Sequence, residues 1–109
     1  MSVKNPHDVI DRIAAAQDRL IASRLRRDKR VLRLARRNLR RWMAKDGCPR
    51  PVFSEWNLVL TRLTAREIAD FLESDTPMAR RLCQSSPFAG VLSDFELLAI
   101  QRKHEKARA

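Results

Sequence analysis

The chain has 109 residues, room for one domain, and is 44% hydrophobic and 33% charged with only two glycines and no tyrosine. That composition predicts an all-α protein and disfavours a sheet, and the 13 acidic against 23 basic side chains give a net charge of +10. Cys48, Cys83, His7 and His104 follow no ligand spacing, so neither a disulfide framework nor a metal site is expected, and no cofactor is implied.

The charge is unevenly placed. Residues 1–50 carry fifteen Lys/Arg against five Asp/Glu, whereas residues 51–109 carry eight of each. A basic segment joined to a neutral one reads as a local contact surface for something negative. There is no apolar leader, and no apolar run approaches the ~20 residues of a membrane span, so the expectation is a soluble cytoplasmic protein without a membrane partner.

Asn5 and Pro6 open the first helix, with Asp8 and Asp11 near its positive end. No proline or glycine then interrupts until Gly47. Along this segment Ile10, Ala14, Ile21, Leu25, Leu32, Ala35, Leu39 and Trp42 form one apolar stripe, broken by Gln17 and Asp28. A helix over residues 6–45 would be about 60 Å long, so part of it projects, pairs with a second chain, or breaks near Asp28 into a hairpin. The stripe residues Ile21, Leu25, Leu32, Ala35 and Leu39 then require a cover, which favours a homodimer through this helix.

The opposite side of the same helix is cationic. Arg26, Arg30, Arg33, Arg37 and Arg40 recur at alternating steps of four and three, flanked by Arg27, Lys29, Arg36 and Arg41. Within this stretch only Asp28 offers local compensation, and arginines at i+4 repel one another, so helix stability does not account for the pattern. Guanidinium groups fit phosphate oxygens in two-point hydrogen bonds and release condensed counterions, which makes nucleic acid the expected partner, DNA or RNA unresolved.

The GCPRP stretch at 47–51 predicts a boundary, with Gly47 as a left-handed cap and Pro49 and Pro51 as terminators. The expected division is a basic helix at 1–46, a linker at 47–53 and a small helical domain at 54–109 with a basic tail that frays. In that domain SEWN at 54–57 begins a helix, TARE at 64–67 and SDFE at 93–96 are capping boxes, and Asp75 or Thr76 before Pro77 opens another helix. SSPFAG at 85–90 is a turn. The expected core is Trp56, Leu60, Ile68, Phe71, Leu72, Met78, Leu82, Phe88, Val91, Leu92, Phe95 and Leu98, with Trp42 or Leu39 docking the long helix on it.

The two helices over residues 64–82 resemble a helix-turn-helix, with Ile68, Ala69, Leu72 and Leu82 at its packing positions. The resemblance implies that Thr76, Met78, Arg80 and Arg81 lie on or near a recognition helix. It departs from the motif at Glu73, Ser74 and Ala79, and the nearby acids Glu67, Asp70, Glu73 and Asp75 oppose a groove-facing surface. Arg80 and Arg81 are therefore the weaker candidates.

No nucleophile, base and orienting group share a recognisable spacing, and two glycines build no phosphate-cradling loop, so catalysis is not expected. The reading is a non-catalytic nucleic-acid-binding accessory or regulatory protein. The alternative is an adaptor or inhibitor whose basic helix docks on an acidic protein surface.

Overall fold

The computed structural model describes residues 6–46 and 50–106. The expected caps at Asn5 and Gly47, together with Cys48, Pro49 and the last three residues, lie outside them. Among the described residues the fold is all-α: α1 (Pro6–Arg27), α2 (Lys29–Asp46), α3 (Pro51–Arg62), α4 (Ala65–Glu73), α5 (Pro77–Cys83) and α6 (Asp94–Lys106). None of these helices is long and apolar enough to cross a membrane.

The basic segment is not one rod. A straight helix from residue 6 to residue 46 would measure about 60 Å, whereas the longest dimension of the molecule is 46 Å. The break falls at Asp28. Its own N–H still bonds to the carbonyl of Arg24 at 2.9 Å, closing α1, while its carboxylate accepts the N–H of Arg30 at 2.9 Å and so caps α2. A short carboxylate that satisfies an orphan N–H competes with the continuing helix, which is why Asp favours such ends.

Once bent, the segment wraps a single core. α1 packs on α4 and α6, and α2 packs on α3. Ile21, Leu25, Ala35 and Leu39 of the stripe are buried inside this one chain and Leu32 is partly so, although Ile10 is 59% exposed. The cover that the stripe requires is therefore supplied internally by α3, α4 and α6, and the length that favoured a second chain is gone. Trp42 meets the ring of Phe53 at 5.7 Å, docking α2 on α3.

The locally encoded helix starts appear as expected. Thr64 accepts the N–H of Glu67 while Glu67 accepts that of Thr64, and Ser93 and Glu96 repeat the exchange. Thr76 accepts the N–H of Ala79 at 3.1 Å ahead of α5. The start of α3 differs from expectation: it begins at Pro51 and not at Ser54, because proline at a first helical position needs no N–H partner and has its φ already set. Met78, Phe95 and Leu98 were expected in the core but are 49%, 82% and 45% exposed. They occupy outward positions of short helices whose inward faces are filled by Ala79, Leu82, Leu97 and Ile100.

Trp56 stands at the centre. Its side chain is fully buried, meets Phe71 and Phe88 edge-on at 6.1 Å each, and donates from Nε1 to the carbonyl of Leu82 at 2.8 Å. Replacing it with phenylalanine keeps an aromatic ring but removes one donor from that carbonyl, which still accepts the Ser85 N–H at 3.0 Å, and leaves a void; urea denaturation is expected to give a loss of about 2–4 kcal/mol.

Arg24 closes the other end by donating to the carbonyl of Val91 at 3.0 Å and forking onto both oxygens of Glu96. The Arg24 hydrogen bonds, followed by the Ser93 N–H, hold the Glu96 carboxyl down to about 2 from an ordinary 4.5. A carboxyl whose folded pKa is depressed contributes stability above its unfolded value and loses it as pH falls through the folded one. Glu96→Gln is therefore expected to lower the denaturation midpoint at pH 7, and the gap from the parent protein is expected to close between pH 4.5 and pH 2. A gap of unchanged size across that window would contradict the assignment.

Candidate nucleic-acid interface

Helix α2 reads KRVLRLARRNLRRWMAKD, eight cations against one acid. Taken at 100° per residue, Val31, Ala35, Asn38 and Leu39 face the core and are buried, whereas Lys29, Arg30, Arg33, Arg36, Arg37, Arg40, Arg41 and Ala44 occupy an outward arc of about 140° and are all exposed. Only Ala44 on that arc is uncharged.

The bend gives the basic residues different surroundings. Arg26, at the end of α1, bonds Asp70 at 2.7 Å and also Glu73, both on α4. Arg30 turns back onto Asp28 at 3.0 Å, and Asp28 is held below its ordinary value first by the Arg30 side-chain bonds and then by the Arg30 N–H. Arg36 reaches across to α3 and donates to the carbonyl of Leu60 at 2.9 Å. Arg27, Lys29, Arg33, Arg37, Arg40 and Arg41 form no salt bridge among the described residues. The expected ridge through Arg26, Arg30, Arg33, Arg37 and Arg40 is thus corrected: its first member is turned onto α4 acids, its second is occupied by the cap residue, and the continuous open part lies on α2.

The weaker candidates are also engaged. Arg80 bonds Asp75 at 2.7 Å through Nε, and Arg81 forks onto Glu55 of α3. Thr76 is occupied as the cap of α5. The α4–α5 pair thus presents paired charges where a recognition helix would present open ones.

Beside the open arginines lies a depression of about 650 Å³. Arg33, Arg36, Arg37 and Arg40 line it from α2, and Asn57, Leu60 and Thr61 from α3. The α3 wall was not foreseen, since Asn57 and Thr61 carry no charge and stand in a segment expected to serve the core alone.

Asn38 also escaped the sequence reading. It is 8% exposed, and its amide donates at 2.9 Å to the carbonyls of both Pro87 and Ala89. It ties the inward face of α2 to the turn before α6 and so fixes which way the arginines point. The available signal was a lone polar residue three positions after Ala35 and seven after Val31, on the apolar side of the helix. Asn38→Ala leaves two carbonyls without a donor, and chemical denaturation is expected to give a loss of about 2–3 kcal/mol.

Among the described residues no group of three or more His, Cys, Asp or Glu side chains could hold a metal ion. No known protein family matches the chain, and neither a curated protein nor a solved structure is similar to it.

Proposed function

We propose that the outward face of α2 binds the phosphate backbone of nucleic acid, and that the protein acts as a non-catalytic accessory or regulatory factor. The observation that carries this reading is an arc of seven exposed cations of which, among the described residues, only Arg30 is neutralised by a carboxylate.

Magnitudes support it. From Lys29 to Arg41 the face is about 18 Å long, or roughly one cation per 2.6 Å of axis, against about one phosphate charge per 1.7 Å of duplex. The two linear charge densities are of the same order, so the face matches the backbone in charge per unit length. The packed helix has already fixed the backbone that carries the guanidiniums, so binding orders side chains alone, and each contact releases condensed counterion. Contacts of this kind position the protein without reading bases.

With Arg27, Lys29, Arg33, Arg37, Arg40 and Arg41 on phosphates of a duplex, log K falls against log salt with a slope of about 5 in magnitude. The triple substitution Arg33→Ala, Arg37→Ala, Arg40→Ala is expected to reduce that slope by about 3, whereas Arg26→Ala leaves it unchanged, because Arg26 serves Asp70 and Glu73. Fluorescence anisotropy across a salt series checks both. Absence of salt-dependent binding in the parent protein would rule the reading out and turn attention to an acidic protein partner.

A further inference from the structure

The SSPFAG turn, whose role the cationic face does not explain, walls a separate cavity of about 300 Å³ between α1, the end of α5 and the start of α6. Ile21, Phe88, Leu92 and Leu97 supply an apolar lining, and Gln17 and Asp18 supply polar groups from α1. The turn wall is held in shape from behind: Asn38 bonds the carbonyls on either side of Phe88, whose ring is buried at 2% exposure, and Gly90 adopts φ +90°. The hollow thus joins an apolar wall to a polar one of about equal extent, with Gln17, Asp18, Gln84 and Ser86 on the polar side, and about 300 Å³ is the lower end of the range of small-ligand sites.

Asp18 sets the chemistry. Among the described residues Asp28, Glu55, Asp70, Glu73, Asp75 and Glu96 hold arginines, whereas Asp11, Glu67, Asp94 and Glu105 form no salt bridge and lie exposed. Asp18 holds none among the described residues, although it is partly buried. Its neighbour in the cavity lining is the thiol of Cys83. Burial, and then the Asp18 charge, push that thiol up to about 12, so Cys83 remains a donor and is no nucleophile. Burial likewise raises Asp18 to about 6, leaving it largely ionised at neutral pH with most of its acceptor positions open.

We propose that this cavity binds a small organic cation, a protonated amine whose ammonium sits on the Asp18 carboxylate and whose apolar body lies over Ile21, Phe88 and Leu92. An anion is disfavoured by the carboxylate, and a strongly hydrated metal ion by the want of further ligands, since Asp18 is the one carboxylate among the lining residues. At about 30 Å³ per non-hydrogen atom the space admits roughly ten of them. The site is independent of the α2 face.

The test is titration of the full chain with hexylamine, with hexan-1-ol as its uncharged counterpart, followed by backbone amide chemical shifts. Hexylamine is expected to shift the amides of Gln17, Ser86 and Gly90 saturably and more tightly than hexanol does. Asp18→Asn is expected to weaken hexylamine about tenfold or more while leaving hexanol unchanged, since only the charge-assisted bond is lost. Ala14→Leu, which fills the cavity from an exposed position on α1 and keeps Asp18, is expected to abolish binding of both. The proposal is overturned if hexylamine gives no saturable shift at those amides, or if folded Asp18→Asn binds it as tightly as the parent protein. Should Asp18→Asn fail to fold, undiminished hexylamine binding by Ala14→Leu overturns it equally.

Discussion

The carboxylate of Asp28 caps the N–H of Arg30 two residues further on, and this contact divides an arginine-rich segment into two helices with different electrostatic fates. On the α1 side, Arg24 and Arg26 turn inward onto acids of α6 and α4. On the α2 side, the helix lies on α3 by its apolar face and holds its cations outward. Without the break the 60 Å rod would need a partner. With it, the same residues close a core within 46 Å.

The bend also explains how a chain with 23 cations and 13 acids folds at all. Like charges at helical spacing repel, and the fold relieves this by bringing α4 acids to Arg26 and the α6 cap residue Glu96 to Arg24. These exposed pairs add little stability individually. Their effect is to sort the arginines: Arg24 and Arg26 become structural, and Arg33, Arg37, Arg40 and Arg41 of α2 stay exposed without a salt bridge among the described residues. Asn38 fixes that sorting mechanically, since its two bonds to the Phe88 turn set the rotation of α2 about its own axis.

Features written in contiguous residues were legible in the sequence. The capping boxes at Thr64 and Ser93 and the cap at Thr76 stand where their signatures place them, because each is completed within three residues. Asp28 was readable as an interruption and as the place of a break, though not which of projection, pairing with a second chain or bending it produces. The partners of the arginines were not readable: Asp70 lies 44 residues from Arg26 and Glu96 lies 72 from Arg24, separations that no local pattern spans. Pro51 was misread because a proline that ends one helix and one that begins the next look alike in sequence. Phe95, Leu98 and Met78 were misplaced because apolarity alone does not say which side of a short helix faces inward.

The fold separates its arginines into a held set and an open set. Timed modification with phenylglyoxal, read residue by residue by mass spectrometry with and without a short RNA or DNA duplex, tests it most directly. Arg33, Arg37, Arg40 and Arg41 are expected to react fast and to be protected by nucleic acid, while Arg24, Arg26 and Arg81 react slowly in both conditions. Equal reactivity across the two sets, or protection that falls on Arg26 and Arg81 and spares α2, would contradict the account.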